Sequence, residues 1–392
     1  MSKKVSCVHG IPIQCWVLCL LTSTLRWAGS RVYTLFWSRE GVAWSGDAGH
    51  NGFWAPLRAG SPDPPTGSTD RSDAGRGTLR EKQGAGLAAV VAACLMMLCV
   101  AGQTLAEGGK ESRDCDWPTF RGNARQTGVS GSDLPEELEL LWTRGTGSEV
   151  VESTAAIGGQ SAYVGTDDGE LFALRLSSGT VRWRYETGAG IRAAPGVHGE
   201  YVYVGDLDGT FHAIHVATGR EAWTYQTKGK IVSSANFVDD RVLVGSYDQH
   251  LYCFAESGKV VWQFETMGPV HATATVANSE SLIAGCDGWV RAVSVEDGTE
   301  VNKVEIEANV GATPAYDGQR AYIATFDGRM LAVDTGLGEV VWDRKIEAGG
   351  GVFVASPGVA SGRVVFGGGD GIVRCLDAEK GEQLWKFETG GQ

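Results

Sequence analysis

The 392-residue sequence has no stretch between its regularly spaced glycines in which apolar residues keep a 3.6-residue period, and this excludes a helical repeat. No two of its cysteines are adjacent, and no cysteine spacing is typical of a metal site. His212 and His215 lie close together, but we interpret them as a partly solvated pair on an antiparallel strand. Positive charge is scarce, since 34 Lys and Arg oppose 47 Asp and Glu and leave a net charge of −13. This acidic surplus argues against contacts with nucleic-acid phosphates.

Tryptophan, in contrast, recurs regularly through the C-terminal part of the chain. The spacing is 39 to 43 residues, and Asn302 stands where a further tryptophan is due. The six members are Trp142, Trp183, Trp223, Trp262, Trp342 and Trp385. A period near forty residues with strand-like content predicts propeller blades.

Each repeat contains four short strand-like runs separated by glycine turns, as the segment 193–227 illustrates. Two turns recur in phase with the tryptophan. The first carries Asp168, Asp208, Asp248, Asp287, Asp327 and Asp370, and the second carries Gly179, Gly219, Gly258, Gly298, Gly338 and Gly381. Complete repeats are predicted at 153–187, 193–227, 233–266, 272–306, 312–346 and 354–389. The predicted fold class is all-β, a propeller of four-stranded antiparallel blades with six complete repeats.

The tryptophans are interpreted as structural residues that dock neighbouring blades. A large ring on an outer strand fills the gap between two blades and donates its indole N–H to a backbone carbonyl. Because Asn302 replaces one ring, we expect a looser contact there, with a solvent-exposed side chain.

The run 140–144 reads as an orphan outer strand, a fourth strand without its first three. Three interpretations stay open: a truncated gene product, a ring of six blades with a spare strand, or an open edge that pairs with another chain. An uncovered sheet edge promotes aggregation, which argues against a bare open arc. We expect a shortened propeller whose ring is open or imperfectly closed.

The repeat resembles the pyrroloquinoline-quinone-type propeller repeat. The similarity is carried by DGELFAL at 168–174 followed by SGTVRW at 178–183, and the pattern extends over 139–389. WPTFRG at 117–122 is similar to a motif of exported bacterial members, especially planctomycete ones. The resemblance implies two functional classes, quinoprotein dehydrogenases and non-catalytic propellers such as the outer-membrane assembly lipoprotein.

The residues favour the non-catalytic class. The dehydrogenases of this family carry an adjacent Cys–Cys pair, a carboxylate base and calcium ligands on long insertions, and the even spacing here leaves little room for insertions. We therefore expect no cofactor, with pyrroloquinoline quinone and calcium as the alternative, and no metal. The acidic residues sit mostly at turns, where Asp bonds to its own backbone.

The N-terminal region carries export signals rather than a folded domain. The apolar run 87–101 follows basic residues and precedes QTLA at 103–106, which predicts a signal peptide at 84–106. Residues 1–83 are interpreted as a non-native or disordered extension, with the true start near Val42, Leu57 or Leu79. A long targeting extension is the alternative. Residues 107–138 are assigned as a linker and 139–392 as the propeller.

Cysteine offers one further possibility at this end. VAAC at 91–94 satisfies a lipobox, so Cys94 is the alternative anchor, although the apolar run continues beyond it. A membrane contact is expected only through Cys94 or an uncleaved apolar segment. Cys115, Cys253, Cys286 and Cys375 are interpreted as structural, because Cys253 and Cys375 occupy a slot filled elsewhere by alanine.

The residues that lead into each innermost strand are the best candidates for a binding site, because they do not repeat. These positions hold Glu152, Arg192, Val232, His271, Gly311 and Val354. Glu152, Arg192 and His271 are the predicted binding residues, with Lys230 and Asn309 beside them; ordinary solvated residues are the alternative. The predicted function is an exported, periplasmic or envelope scaffold that binds a protein or another ligand. A quinoprotein oxidoreductase and a sensor module of a larger envelope assembly are the alternatives.

Overall fold

A computed structural model describes residues 116–132, 137–336, 338–346, 353 and 355–389, together with the backbone of three strands nearer the N-terminus. The predicted signal peptide, the lipobox and Cys115 lie outside these residues. In chain order the strands are β1 (Lys4–His9), β2 (Thr34–Ser38), β3 (Gly41–Ser45), β4 (Glu139–Gly145), β5 (Ala156–Gly158), β6 (Ser161–Gly165), β7 (Glu170–Arg175), β8 (Val181–Glu186), β9 (Gly196–His198), β10 (Tyr201–Gly205), β11 (Thr210–His215), β12 (Glu221–Gln226), β13 (Asn236–Val238), β14 (Arg241–Gly245), β15 (His250–Ala255), β16 (Val260–Glu265), β17 (Thr275–Ala277), β18 (Glu280–Ala284), β19 (Trp289–Ser294), β20 (Glu300–Glu305), β21 (Ala315–Tyr316), β22 (Arg320–Ala324), β23 (Arg329–Asp334), β24 (Glu339–Lys345), β25 (Gly358–Ala360), β26 (Arg363–Gly367), β27 (Ile372–Asp377) and β28 (Gln383–Glu388).

Strands β5 to β28 form six four-stranded antiparallel sheets, each made of consecutive strands. We number them blades 1 to 6, from β5–β8 to β25–β28. The short first strands of successive blades contact one another, as in β5 with β9 and β17 with β21. The two middle strands are buried, whereas the outer strand alternates exposed and half-buried residues. The all-β propeller with six complete blades is confirmed.

Strand β4 is not a lone strand. It pairs antiparallel with β1, and Cys7 lies opposite Trp142 in the register. β2 and β3 form a separate hairpin. The strand that the sequence predicts to be an orphan therefore has a partner from the N-terminal region.

Five of the six tryptophans of the repeat, Trp142, Trp183, Trp223, Trp262 and Trp342, reach the next blade in the chain. The indole N–H donates to a backbone carbonyl 33 to 36 residues further along, at 2.8 to 3.0 Å. The ring also covers the second glycine turn of that blade. At Gly258, which has a φ of +85°, a Cβ would lie 2.6 Å from Cδ2 of Trp223. Glycine is required there both by the left-handed backbone and by the close approach of the ring.

The tryptophan ring also explains why one position of the third strand holds a small residue, Ala or Cys. Ala173 lies directly opposite Trp183 in the β7–β8 ladder, and Cys253 lies opposite Trp262 in the β15–β16 ladder. Opposed residues on one face of a sheet are close neighbours, so a small side chain leaves space for the indole. A β-bulge follows the small residue in both ladders.

Asn302 takes over the hydrogen bond of the missing ring. Its side chain is half-buried, so the expected solvent exposure is not found. Nδ2 donates to the carbonyl of Thr335 at 3.4 Å, longer than the bonds of the tryptophans. A Cβ on Gly338 would lie 2.5 Å from Nδ2, so the glycine turn still admits the amide.

Residues 117–127, which we call the strap, contact the first strand of every blade in turn. Carbonyls of the strap accept N–H groups from five first strands at 2.7 to 3.0 Å. These pairs are Ile157 to Trp117, Val197 to Pro118, Val276 to Ala124, Tyr316 to Arg125 and Val359 to Thr127. Blade 3 is bound through side chains instead, since Thr119 Oγ1 donates to the Ala235 carbonyl and Asn236 Nδ2 donates to the Ala124 carbonyl. The segment assigned as a linker thus satisfies the free edges of the inner strands.

Candidate functional site

The predicted binding residues lie at the end of the inner strands that is opposite the strap. His271 precedes Val276, the strap-bonded residue of blade 4, by five residues, and Arg192 precedes Val197 by the same number. Beside each such residue lies the turn between the second and third strands of a blade. Its backbone is fixed by bonds such as Tyr247 N–H to the Lys230 carbonyl at 3.0 Å. We call this end of the propeller the mouth.

Glu152 and Arg192 come together, with Asp167 as the third member. Arg192 Nε lies 3.2 Å from Glu152 Oε2 and 2.8 Å from Asp167 Oδ1. The hydrogen bond to Asp167 raises the pKa of the Arg192 guanidinium, and burial opposes that shift. Because Arg192 is 43% exposed, solvent screens the pair and its contribution to stability is small. The cluster links blades 1 and 2 and presents both signs of charge to solvent.

Lys230 and His271 form a second cluster around Tyr247. Lys230 Nζ lies 4.4 Å from the centroid of the Tyr247 ring, a cation–π contact. Tyr247 Oη lies 2.6 Å from His271 Nδ1. Burial, and then the charge of Lys230, lower the pKa of His271, while burial raises the pKa of Tyr247. The imidazole is therefore neutral near neutral pH, and in the tautomer with a free Nδ1 it accepts a hydrogen bond from the Tyr247 O–H, which keeps its proton.

This lowered pKa predicts acid sensitivity. Above the ordinary pKa of 6.5 the imidazole is neutral in both states, and its contribution to stability is fully present. As the pH falls from 6.5 towards the lower folded-state pKa, the unfolded chain binds a proton that the folded chain does not, so stability is lost. The slope from this group is at most about 1.4 kcal/mol per pH unit.

The measurement is the free energy of unfolding at several pH values between 7.5 and 5. We expect His271→Gln to remove this part of the slope. Tyr247→Phe keeps the imidazole beside Lys230 and is expected to retain it. An unchanged slope in the glutamine variant would contradict the assignment.

Asn309 lies apart from both clusters, on a pocket between blades 4 and 5. The pocket has a volume of about 540 Å³ and is lined by Cys286, Asp287, Gly288, Glu307, Ala308, Asn309, Phe326 and Asp327. Glu307 has a left-handed φ of +50°, which is uncommon for a residue other than glycine. Met267 is 80% exposed at the rim, and its N–H donates to Asp287 Oδ2 at 3.3 Å. The pocket thus combines apolar surface with carboxylates.

Charge differs between the two sides of the mouth. Lys228 and Lys230 are exposed beside blade 3. On the pocket side, Arg329 pairs with both Asp327 and Asp343, so two carboxylates share one guanidinium. Glu307 adds a further exposed carboxylate. The mouth therefore offers a basic and an acidic sector to a partner.

Sequence reasoning missed the turn residues that complete these groups. The first recurring turn of each blade carries an aspartate, and the residue before it varies from blade to blade as strongly as the mouth positions do. These residues are Asp167, Leu207, Tyr247, Cys286, Phe326 and Gly369. This lack of repetition is the signal that identifies them. Val354, the sixth mouth position, lies outside the described residues.

The histidine pair of β11 agrees with its prediction in part. His212 is only 3% exposed, with Nε2 at 3.1 Å from Asp206 Oδ2 and Nδ1 at 3.1 Å from Tyr185 Oη. His215 packs beside the Tyr201 ring. His215 is half-buried, as the prediction of a partly solvated pair requires, whereas His212 is enclosed by its bonds to Asp206 and Tyr185. Among the described residues, no group of three or more His, Cys, Asp or Glu is arranged to hold a metal ion.

The described cysteines occupy structural surroundings. Cys253 and Cys375 are fully buried, and burial raises the pKa of Cys253 to about 12. A thiol with such a pKa is a poor nucleophile. Cys286 is partly exposed on the pocket wall, and burial raises its pKa as well. Within the described part of the chain, no helix has the length and apolarity to cross a membrane.

Comparison with known proteins places these features in a family. The model of the family described as outer membrane protein assembly factor BamB matches residues 134–236 and 286–392, together more than half of the chain. The assembly factor BamB of Moranella endobia is 26% identical over 39% of this chain and 43% of its own length. The quinohemoprotein alcohol dehydrogenase ADH IIB of Pseudomonas putida is 24% identical over 33% of this chain and 22% of its own.

A solved structure has the same fold. The crystal structure of BamB from Moraxella catarrhalis superposes with a TM-score of 0.58 at 21% identity, covering 64% of this chain and 78% of that one. The chain spans less than half the length of the two curated relatives.

Proposed function

The chain belongs to the family of the outer membrane protein assembly factor BamB, and on that premise we propose that it is an exported, non-catalytic propeller that binds a protein partner in the cell envelope through its mouth. The observation that carries the proposal is the mouth itself. Positions that hold the blades together repeat from blade to blade, whereas the mouth residues differ in size and charge. Variation confined to one end of a rigid scaffold is typical of a binding surface.

The pocket between blades 4 and 5 is the proposed anchor point. Phe326 supplies apolar surface in the pocket, and Glu307 and Asp327 supply carboxylates next to it. Met267 is exposed beside the pocket residue Asp287 and adds apolar surface there. Such a site suits a partner segment in which a Lys or Arg stands beside an apolar residue. Apolar residues that are exposed on the outer strands, such as Val301 and Leu384, occur singly on separate blades and need no partner.

The proposed export follows from the apolar run at 87–101 and the small residues after it. A periplasmic or envelope location is consistent with the name of the family, which refers to the outer membrane.

Crosslinking with mass spectrometry on the native envelope tests the proposal. Amine-reactive crosslinks from Lys228 and Lys230 on the mouth are expected to join one envelope protein repeatedly. Lys303, Lys345 and Lys386 on outer strands are exposed and serve as internal controls. Crosslinks that come only from these outer lysines, or none to any envelope protein, would contradict a binding mouth.

A quinoprotein oxidoreductase is the second candidate, and the similarity to the Pseudomonas putida dehydrogenase is the observation that raises it. The test is reconstitution of the purified protein with pyrroloquinoline quinone and calcium, followed by absorbance and dye-linked alcohol oxidation. We expect neither a bound-quinone spectrum nor turnover. A stoichiometric quinone complex with activity would favour the dehydrogenase instead.

A further inference from the structure

The strap contains a glutamine whose side-chain amide is enclosed in the protein. Gln126 is 0% exposed, and neither Oε1 nor Nε2 has a hydrogen-bond partner among the described residues. Its backbone has a left-handed φ of +56° and is held there by the Gln126 N–H bond to the Asn123 carbonyl at 2.9 Å. A buried amide with no partner is strongly unfavourable, so both atoms need a hydrogen-bonding occupant.

The strap is folded on itself around this residue. The Gly122 N–H donates to the Thr119 carbonyl at 2.9 Å, and the Gly128 N–H donates to the Arg121 carbonyl at 3.0 Å. A Cβ on Gly122 would lie 2.7 Å from the Trp117 ring, and Nε1 of that ring is likewise buried without a partner among the described residues. Two buried polar groups thus occur in one compact segment.

The inner strands between strap and mouth carry hydroxyl groups. Ser234, Thr273, Thr313 and Ser356 each accept the N–H of the matching residue of the preceding blade, at 2.9 to 3.2 Å. Neighbouring inner strands are therefore joined through hydroxyls. These residues are 3% to 8% exposed, so the inner strands to which the strap bonds carry enclosed polar groups. Enclosed polar sites hold water, whereas dry cavities are apolar.

We propose that the Gln126 amide binds ordered water inside the propeller, and that this water is part of the strap's attachment to the inner strands. The amide offers one acceptor oxygen and two N–H donors, and a water molecule, with two O–H donors and two acceptor lone pairs, can bond to either group. A metal ion is a poor match, because an amide nitrogen cannot ligate it and no carboxylate cluster with metal-binding geometry occurs among the described residues. The proposal does not depend on the identity of a partner.

A crystal structure of the full chain at a resolution that shows ordered solvent tests the proposal directly. We expect density within about 3.2 Å of both Oε1 and Nε2, with distances of hydrogen bonds. Dry surroundings, or a peak with the shorter contacts of a metal ion, would overturn it.

A substitution gives an independent test with opposite outcomes. Gln126→Met keeps the size of the side chain and removes its hydrogen bonds. If the amide binds water, the fraction unfolded at a fixed denaturant concentration rises about tenfold, which is the effect of losing one or two satisfied hydrogen bonds. If the amide is bare, the methionine variant is equally or more stable. Gln160→Met, at an exposed turn, is the control for the exchange itself.

Discussion

Replacing Gly258 by alanine is expected to lower the free energy of unfolding by about 3 to 4 kcal/mol, a large part of the stability of a domain. The added Cβ would lie 2.6 Å from the Trp223 ring at a φ of +85°. About 1 to 2 kcal/mol of the loss arises from the left-handed backbone, and the remainder from displacing the indole. Chemical denaturation of the full chain measures the loss.

Gly188 offers a matched control, because its φ of +90° is similar and no atom lies within 4 Å of the added Cβ. Gly188→Ala is therefore expected to show the backbone cost alone, about 1 to 2 kcal/mol. Equal losses for the two variants would mean that the ring does not dock tightly on the glycine turn.

Replacing Trp262 by alanine is expected to cost about 3 to 5 kcal/mol, as for other large buried aromatic residues. The ring is 8% exposed and donates its N–H to the Val295 carbonyl at 2.9 Å. Its removal leaves a cavity between blades 3 and 4 and an unsatisfied carbonyl. The measurement is again the free energy of unfolding.

Asn302→Ala provides the comparison within the same repeat. It removes a hydrogen bond of 3.4 Å but little buried apolar surface, so a loss of about 1 kcal/mol is expected. If the two losses were similar, the tryptophans would contribute through hydrogen bonding rather than through packing.

Blade boundaries were predictable because their physical cause is local. Glycine turns, strands of alternating polarity and a tryptophan about every forty residues can each be recognised from a short stretch of sequence. The small residue opposite the tryptophan, such as Ala173 opposite Trp183, repeats with them. The behaviour of Asn302 was not predictable in the same way. Its half-buried position depends on Gly338 in the next blade, where the missing Cβ lets the amide approach.

The path of the strap could not be read from the sequence. Its bonds to the blades are mostly made by main-chain carbonyls, which every residue has, so the bond from Val359 to Thr127 leaves no signature in residue types. Within the motif, side chains contribute at Gly122, which lies against the Trp117 ring, and at Thr119, which donates to the Ala235 carbonyl.

The mouth was predicted in part. Its location followed from the repeat, and Glu152 with Arg192, and Lys230 with His271, are indeed neighbours. The grouping into separate clusters was not predictable, because each cluster also needs a residue from the turn between the second and third strands of a blade. These residues are Asp167, Tyr247 and Phe326. Asn309 lines the pocket together with Phe326 rather than joining either charged cluster.

Site-specific photo-crosslinking in living cells tests the central claim, that the mouth binds an envelope protein, most directly. A photoreactive amino acid is placed at Met267 on the pocket rim or at Val301 on an outer strand, which are 80% and 54% exposed. We predict a discrete protein adduct from position 267 alone, lost when Glu307→Lys and Asp327→Lys are combined. Equal adducts from both positions, or an adduct at 267 that survives the charge reversal, would contradict the account.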